Sequence, residues 1–149
     1  MIVLLCVIIA GMGYMIYFLY EAFKEKNSQY NKMRKNFFLL YDWMDLERTG
    51  EHVLASRLQE KGYHEILIYG WGYLGERLYR ELENTPIKVI GIVDKKNTNN
   101  YYDLPSYRVQ SELPQADAVL ITVLYDVEKI QVDVSKVIEC PVISIEDFM

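Results

Sequence analysis

Residues 66–83 read ILIYGWGYLGERLYRELE, an apolar run that stops at a glycine and is followed by a helical pattern. Gly70, Gly72 and Gly75 have the spacing G-x-G-x-x-G, which indicates a phosphate-binding turn when it joins a strand to a helix. The first glycine allows the tight turn, the second lets the backbone approach a diphosphate, and the third lets the helix lie close to the strand. The stretch therefore predicts a strand, a cradle for phosphate and a helix in direct succession.

The start of the predicted helix supplies the chemistry that a phosphate needs. Backbone N–H groups near Tyr73 and Leu74 lack partners within the helix, and the helix dipole adds partial positive charge beside them. The lysine of a P-loop, G-x-x-x-x-G-K, is not part of this pattern. We therefore expect the phosphate contacts to come from the main chain, at Gly70, Gly72, Tyr73, Leu74 and Gly75.

A carboxylate after the next strand is a second, independent sign of a nucleotide. The apolar run KVIGIV is followed directly by Asp94, which lies 19 residues after Gly75. A carboxylate about 20 residues beyond the glycines commonly binds ribose hydroxyls. Lys95 and Lys96 come next, and their charge would weaken a preference for a free 2′-hydroxyl over a 2′-phosphate. NAD, a UDP-sugar and other nucleotides all fit this pattern; the alternative is that the glycines serve packing and Asp94 is a loop carboxylate.

Short apolar runs alternate with helical patterns from residue 64 to the end of the chain. Four of these runs are continuously apolar, as parallel strands covered on both faces are. They are EILIY (65–69), KVIGIV (88–93), AVLITV (118–123) and PVISI (141–145). Helices are predicted between them, at 73–84 and 126–138. Strands that alternate with helices indicate βαβ units, so we expect an α/β fold with a small Rossmann-like parallel sheet of four to five strands flanked by helices.

The stretch IYGWGYLGERLYRELENTPIKVIGIVDKK resembles the Rossmann-type domain of bacterial surface-polysaccharide proteins. These include the nucleotide-sugar-binding N-terminal domain of sugar acyltransferases and small modules attached to glycan-assembly enzymes. DAVLITV (117–123) is similar to their next core strand, so the resemblance covers 64–149. It implies a nucleotide site at Gly70, Gly72, Gly75 and Asp94. The hexapeptide repeats that carry acyl transfer in those enzymes are not found here, so we expect binding without catalysis.

The first twenty residues, MIVLLCVIIAGMGYMIYFLY, carry no charged side chain. A bilayer core needs about 20 helical residues, and Tyr14, Tyr17 and Tyr20 would lie where aromatic rings favour the headgroups. A cleaved signal peptide needs basic residues before its apolar core and small residues after it, and this segment has neither. We therefore expect a retained transmembrane helix over 1–21; a buried first helix of a soluble protein is the alternative.

The charge of the chain is divided unevenly. Residues 1–35 carry a net charge of +3, and the rest of the chain carries −8. Basic residues beside a membrane segment stay in the cytoplasm, so we expect a single-pass protein of the cell membrane with its C-terminal domain in the cytoplasm. The acidic domain argues against nucleic acid as a partner. Cys6 and Cys140 have no cysteine or histidine at ligand spacing, so neither a disulfide nor a metal site is expected.

Residues 22–63 are predicted to form a basic juxtamembrane segment and amphipathic helices. In the helix predicted at 28–48, the apolar residues recur on one face. This face consists of Met33, Phe37, Leu40, Tyr41 and Met44. Phe38 and Trp43 lie off this face, which makes the helix apolar on more than one side. We expect this helix and the one that follows it to cover the α/β domain, and pairing with a second copy in a homodimer is the alternative.

Gly50 is predicted to end this helix as a left-handed C-cap residue. A second helix is predicted at 51–61, where it ends before Gly62. Its apolar residues are Val53, Leu54 and Leu58.

Tyr125 and Lys129 form the pattern Y-x-x-x-K, the acid–base pair of short-chain dehydrogenases. Tyrosine is abundant in the chain, with 13 residues, and Tyr20 and Lys24 repeat the spacing. We therefore predict no catalytic residue. The expected function is a membrane-tethered module that binds a nucleotide or nucleotide-sugar for glycan biosynthesis, alone or with a glycan-assembly enzyme. The alternatives are an NAD(P)-dependent reductase- or epimerase-like subunit and a structural, dimerising adaptor with an empty glycine turn.

Overall fold

The computed structural model describes residues 1–47, 52–95 and 102–148. The chain forms two compact units, Met1–Lys35 and Asn36–Met149. The first helix, α1, runs over Ile2–Glu47, so its C-terminal residues belong to the second unit. The second unit also includes the region up to residue 63, which the sequence analysis assigned to a separate juxtamembrane segment.

The first unit consists of α1 residues alone. Every side chain that the structure describes between Met1 and Lys35 is exposed. By its length and composition, α1 is a helix that could span a membrane. The described apolar side chains of this unit therefore do not pack into a protein core within it.

The second unit is an α/β domain with a five-stranded sheet. The strands are β1 Glu65–Tyr69, β2 Lys88–Val93, β3 Ser106–Tyr107, β4 Ala118–Ile121 and β5 Val142–Ser144. All of them pair in parallel, in the order β3-β2-β1-β4-β5. The helices are α2 Val53–Glu60, α3 Tyr73–Leu82, α4 Val127–Val134 and a 3-10 helix at Ile145–Phe148. The predicted fold class is confirmed, and the strand order reverses between β1 and β4.

Both faces of the sheet are covered, as the continuous apolar runs predict. In β1, Ile66 and Ile68 pack on the side of α2 and α3, whereas Leu67 and Tyr69 pack on the side of α4. All four of these side chains are at most 3% exposed. Such two-sided burial is why the strands read as continuous apolar runs rather than as alternating ones.

The sequence analysis did not predict β3. This strand has only two residues, both half-buried, and it lies at the edge of the sheet within a polar segment. Its position depends on Gly91, since a Cβ atom there would lie 2.7 Å from the Tyr107 ring. A close contact of this kind leaves no apolar run in the sequence, so periodicity could not reveal the strand.

The C-terminal part of α1 packs on the domain through a different face from the predicted one. Leu39 and Trp43, one turn apart, are buried in the core between the sheet, α2 and α3, and the Trp43 indole N–H donates a hydrogen bond to the Glu81 carboxylate. The expectation that the predicted helices cover the domain is confirmed for the C-terminal part of α1 and for α2, whose buried residues belong to the same core. This contact does not use most of the apolar face that the periodicity indicated. Only Leu40 is partly buried, whereas Met33, Phe37, Tyr41 and Met44 are exposed. Gly50, the predicted end of the helix, lies outside the described residues.

Replacing Trp43 with alanine should destabilise the α/β domain. The change removes a large, fully buried ring and its hydrogen bond, and losses of this kind cost about 3–5 kcal/mol. Phe38, which is exposed on the same helix, is the matched control, and Phe38→Ala should change the free energy of unfolding by only about 0.5 kcal/mol. Urea titration of the full chain in detergent, followed by circular dichroism, measures both. An equal loss of stability in the two variants would contradict the assignment of Trp43 to the packing face of α1.

Asp117 links the N-terminal ends of the neighbouring strands β1 and β4. Its Oδ2 atom accepts hydrogen bonds from the backbone N–H groups of His64 and Glu65, both at 2.8 Å. These bonds stabilise the carboxylate and lower the pKa of Asp117. Asp117 therefore adds stability above the pKa of an unfolded aspartate, about 3.9, and this contribution is lost as the pH falls through the folded-state value.

Asp117→Asn should accordingly lower the urea midpoint at pH 7. The difference in urea midpoint between the variant and the wild-type chain should shrink as the pH is lowered from about 5 to about 3. The wild-type carboxylate is then progressively protonated and becomes neutral, as asparagine is. Asp147→Asn, at an exposed carboxylate of the 3-10 helix, serves as the control. A constant difference at every pH would contradict the assignment of the effect to ionised Asp117.

Candidate functional site

The glycine turn follows β1 directly and requires glycine at its first position. Gly70 has a φ of +91°, and a Cβ atom there would lie 2.5 Å from the Val123 side chain. The backbone N–H of Gly70 donates to the Val93 carbonyl at 2.8 Å, which ties the turn to β2. The turn is therefore held at the carboxyl end of the sheet, between the ends of β2 and β4.

Gly75 brings α3 against this turn. A Cβ atom on Gly75 would lie 2.3 Å from the Gly70 carbonyl oxygen, so only glycine permits the observed approach. The Thr122 hydroxyl lies 2.7 Å from the same oxygen and donates a hydrogen bond to it. The sequence analysis missed Thr122; its only signal is a hydroxyl residue at the end of the apolar run AVLITV.

Gly72 has a different environment from the other two glycines. It is the N-cap residue of α3 with an extended backbone, and a Cβ atom there would meet nothing within 4 Å. The first hydrogen bond within α3 runs from the Glu76 N–H to the Gly72 carbonyl, at 3.0 Å. The N–H groups of residues 73–75 therefore precede the intrahelical bonding, as the anion-binding interpretation requires.

Asp94 lies beside the turn, at the end of β2. Its Oδ2 atom accepts a hydrogen bond from the Trp71 N–H at 3.2 Å. The Asp94 backbone N–H donates to the Tyr107 carbonyl of β3 at 3.0 Å. The two features that the sequence analysis predicted separately, the glycines and the carboxylate, are thus brought together by the fold.

A cleft of about 340 Å³ opens at this edge of the sheet. It lies beyond the carboxyl ends of β1, β2 and β4, where the strand order reverses, and α/β proteins commonly bind ligands at such a position. Its lining residues are Tyr69, Gly70, Trp71, Gly72, Asp94, Lys95, Val123, Tyr125, Asp126 and Ile130. Lys96, which the sequence analysis grouped with Lys95, lies outside the described residues.

Not every predicted site residue lines the cleft. Gly70, Gly72 and Asp94 do, and Gly75 acts from beneath by setting the position of α3. The Leu74 side chain is buried in the core, and the Tyr73 side chain is exposed on a separate groove with residues of α1. Any contribution of Tyr73 and Leu74 to binding must therefore come from their backbone N–H groups.

Tyr69 forms the floor of the cleft on the β1 side. Burial, together with the negative charges of Asp94 and Asp133 and the nearby Tyr125, raises the pKa of Tyr69 to about 12. Its phenol therefore stays protonated at neutral pH and keeps a hydrogen-bond donor beside the Asp94 carboxylate.

Trp71 borders the cleft and also belongs to an aromatic cluster. Its ring centroid lies 5.8 Å from that of Tyr79 and 6.0 Å from that of Tyr102. The Tyr102 hydroxyl donates to the Glu76 carboxylate at 2.8 Å and accepts a bond from Arg80 at 3.2 Å. The cluster thus fixes the Trp71 ring against α3 at the border of the cleft.

The Y-x-x-x-K pair does not form on a helix. Tyr125 precedes α4, and Asp126, with a left-handed φ of 54°, is the N-cap residue of that helix. Tyr125 and Lys129 therefore do not share a helix face as the dehydrogenase pattern requires. Tyr125 and Asp126 nevertheless line the cleft, a position that their sequence pattern alone did not indicate.

Comparisons with known proteins add no relative. No protein-family model matches the chain, and no curated protein or solved structure matches it at a significant level. Among the residues that the structure describes, no group of three or more histidines, cysteines or carboxylates is placed to hold a metal ion. The assignment of function therefore depends on the geometry of the cleft.

Substitution of Gly72 should impair ligand binding, whereas substitution of Gly75 should impair the stability of the domain. Gly72→Val adds a side chain in open space beside the cleft, so it should cost about 1 kcal/mol or less in stability, as a weaker N-cap does, yet obstruct a bound phosphate. Gly75→Ala forces its methyl group into the Gly70 carbonyl and should destabilise the domain by about 1–3 kcal/mol. Urea titration and nucleotide-binding assays on both variants measure the two effects. Stable Gly75→Ala protein would contradict the close packing described above.

Proposed function

We propose that this chain is a membrane-anchored module that binds a nucleotide or nucleotide-sugar on the cytoplasmic side of the cell membrane and serves glycan biosynthesis. The observation that carries the proposal is the cleft at the strand-order reversal. There, the main chain of Gly70–Gly72 and the carboxylate of Asp94 line a single space. A phosphate on the main chain and a ribose on the carboxylate would occupy the two ends of one ligand.

The dimensions of the cleft support a ligand of nucleotide size. A volume of about 340 Å³ lies at the lower end of the range for small-molecule sites, about 300–1,000 Å³. The strand order β3-β2-β1-β4-β5 also matches five of the six strands of the doubly wound order 3-2-1-4-5-6, which binds nucleotides at its reversal. The Trp71 ring and the neutral Tyr69 phenol provide a flat apolar surface and a hydrogen-bond donor for the base or sugar.

The N-terminal helix supports the membrane part of the proposal. It is long and apolar enough to cross a bilayer, and five basic residues follow the apolar segment, at Lys24, Lys26, Lys32, Arg34 and Lys35. Their charge favours retention of this side, and with it the α/β domain, in the cytoplasm.

Binding rather than catalysis is proposed because the acid–base pair that the sequence suggested is not assembled on a helix among the described residues of the cleft. Tyr125 and Lys129, the pair considered from the sequence, are separated by the N-cap of α4. The role in glycan biosynthesis rests on the resemblance of 64–149 to the domains of surface-polysaccharide proteins.

Native mass spectrometry of the full chain, extracted from membranes in detergent, is the direct test. The chain should carry a nucleotide-sized added mass, or acquire one from NAD, UDP-glucose, UMP or AMP, and Gly72→Val should lose it. No added mass with any of these probes would leave a structural adaptor as the better account. NADH consumption that disappears in Tyr125→Phe would instead identify a reductase-like subunit.

The ribose contact is tested by removing either of its partners. If Asp94 accepts a hydrogen bond from the ribose, a 2′-deoxy analogue of the bound nucleotide should bind the wild-type chain about 10–100-fold more weakly, since hydrogen bonds to charged groups contribute about 1.5–3 kcal/mol. In Asp94→Asn, which keeps an oxygen for the Trp71 N–H, that ratio should fall toward one. Isothermal titration with both ligands gives the ratio. An unchanged ratio would exclude Asp94 as the ribose acceptor.

A further inference from the structure

The exposed face of α1 contains a seven-residue repeat that the proposed nucleotide site does not explain. Phe23, Tyr30, Phe37 and Met44 follow one another at intervals of seven residues, and Met33 and Leu40 lie three residues after Tyr30 and Phe37. In heptad notation the first four occupy position a, and the other two occupy position d. Apolar residues in these two positions are the signature of helices that pair in a coiled coil.

The charged residues of the same segment avoid these positions. The seven charges between Glu21 and Lys35 are Glu21, Lys24, Glu25, Lys26, Lys32, Arg34 and Lys35. Only Lys26 falls on the a/d face; the others lie at positions that face away from it or flank it. A single polar residue within such a face is a known device for fixing the register and the number of chains. The charge pattern therefore suits a neighbouring helix of the same kind.

Most of this face is exposed, although Leu40, at position d, packs partly against the protein's own core. In the first unit, Phe23, Tyr30 and Met33 are 58–71% exposed, and in the second unit, Phe37 and Met44 are 62–65% exposed. In the second unit, the core takes an adjoining side of the helix, through Leu39 and Trp43. Position a of the repeat is thus left for another molecule.

We propose that residues 23–44 form a parallel, two-stranded coiled coil with a second copy of this chain. Aromatic side chains each bury about 150–250 Å² and methionine is of similar size, so the five residues, exposed to this extent, offer at most roughly 600 Å² per chain. A pair of chains would bury about 1,200 Å², the lower limit for a specific interface. Parallel orientation follows from the proposed membrane insertion, because two copies inserted in the same sense place equal positions side by side.

The second unit provides space for the side chains of the partner helix. A groove of about 780 Å³ runs along the end of α1, where Phe37, Tyr41 and Met44 line it on one side and Tyr73 lines it on the other. Tyr73 is 71% exposed and is the first residue of α3. The proposed interface therefore reaches the residue next to Gly72. It also accounts for the exposed position of the Tyr73 side chain, which does not line the nucleotide cleft.

Disulfide cross-linking of single-cysteine variants in membranes tests the arrangement. In a chain with Cys6 and Cys140 replaced by alanine, Phe23→Cys, Tyr30→Cys and Phe37→Cys should each give a disulfide-linked dimer in most of the protein upon oxidation, because facing residues lie within disulfide reach. The matched controls, Ser28→Cys, Lys35→Cys and Phe38→Cys, lie off the a/d face and should give only traces. An antiparallel pair would cross-link at no more than one of the three positions, and equal cross-linking on both faces would overturn the proposal.

Charge substitution provides a second readout that does not depend on cysteine. Tyr30→Glu and Met33→Glu place a carboxylate on the a/d face and should convert a dimer to a monomer in lipid nanodiscs, measured by mass photometry. Ser28→Glu and Asn31→Glu, which add the same charge off this face, should stay dimeric. Extraction of the membranes with alkali checks that all four variants are inserted, which separates a failure of anchoring from a failure of pairing. A wild-type monomer, or an assembly of three or more chains, would overturn the inference.

Discussion

The contact between Gly75 and the carbonyl oxygen of Gly70 determines where the groups of the cleft lie. A Cβ atom on Gly75 would be 2.3 Å from that oxygen, so α3 can start this close to β1 only because Gly75 has no side chain. Thr122 donates its hydroxyl to the same oxygen at 2.7 Å, so this backbone polar group has a partner next to the core. This contact and the Gly70 N–H bond to the Val93 carbonyl together position the start of α3 and the Trp71 N–H that reaches Asp94.

Most of the strands and helices of the domain could be predicted from the sequence, because the apolar runs, turn glycines and helical periods that define them are local features of the chain. The apolar run before Gly70 can be a buried strand or part of a buried helix, and the turn glycines together with the helical period after them decide for the strand. Thr122 and β3 escaped prediction for the opposite reason: each depends on a contact with a distant part of the chain. A hydroxyl beside the carbonyl of Gly70, or a two-residue strand beside Gly91, gives no periodic signal.

The packing face of α1 escaped prediction for a physical reason of a different kind. Hydrophobic periodicity finds an apolar face but does not identify what covers it. Near its C-terminal end this helix has two apolar faces, and the less regular one, Leu39 and Trp43, packs into the core. A core contact needs only two large side chains one turn apart, whereas a long pairing of helices needs a repeat over many turns. The more regular face is therefore the one expected to meet another helix.

Anchoring, pairing and nucleotide binding would act together in the proposed protein. A membrane anchor confines the cleft to the bilayer surface, where an effective concentration in the millimolar range is typical for partners joined by short linkers. A module held in this way needs only modest affinity to keep a nucleotide close to a membrane-bound enzyme. Because Tyr73 borders the proposed dimer groove and directly follows Gly72, which lines the cleft, a change in pairing would reach the phosphate end of the ligand first. This adjacency would give the two proposed sites a physical route by which each influences the other.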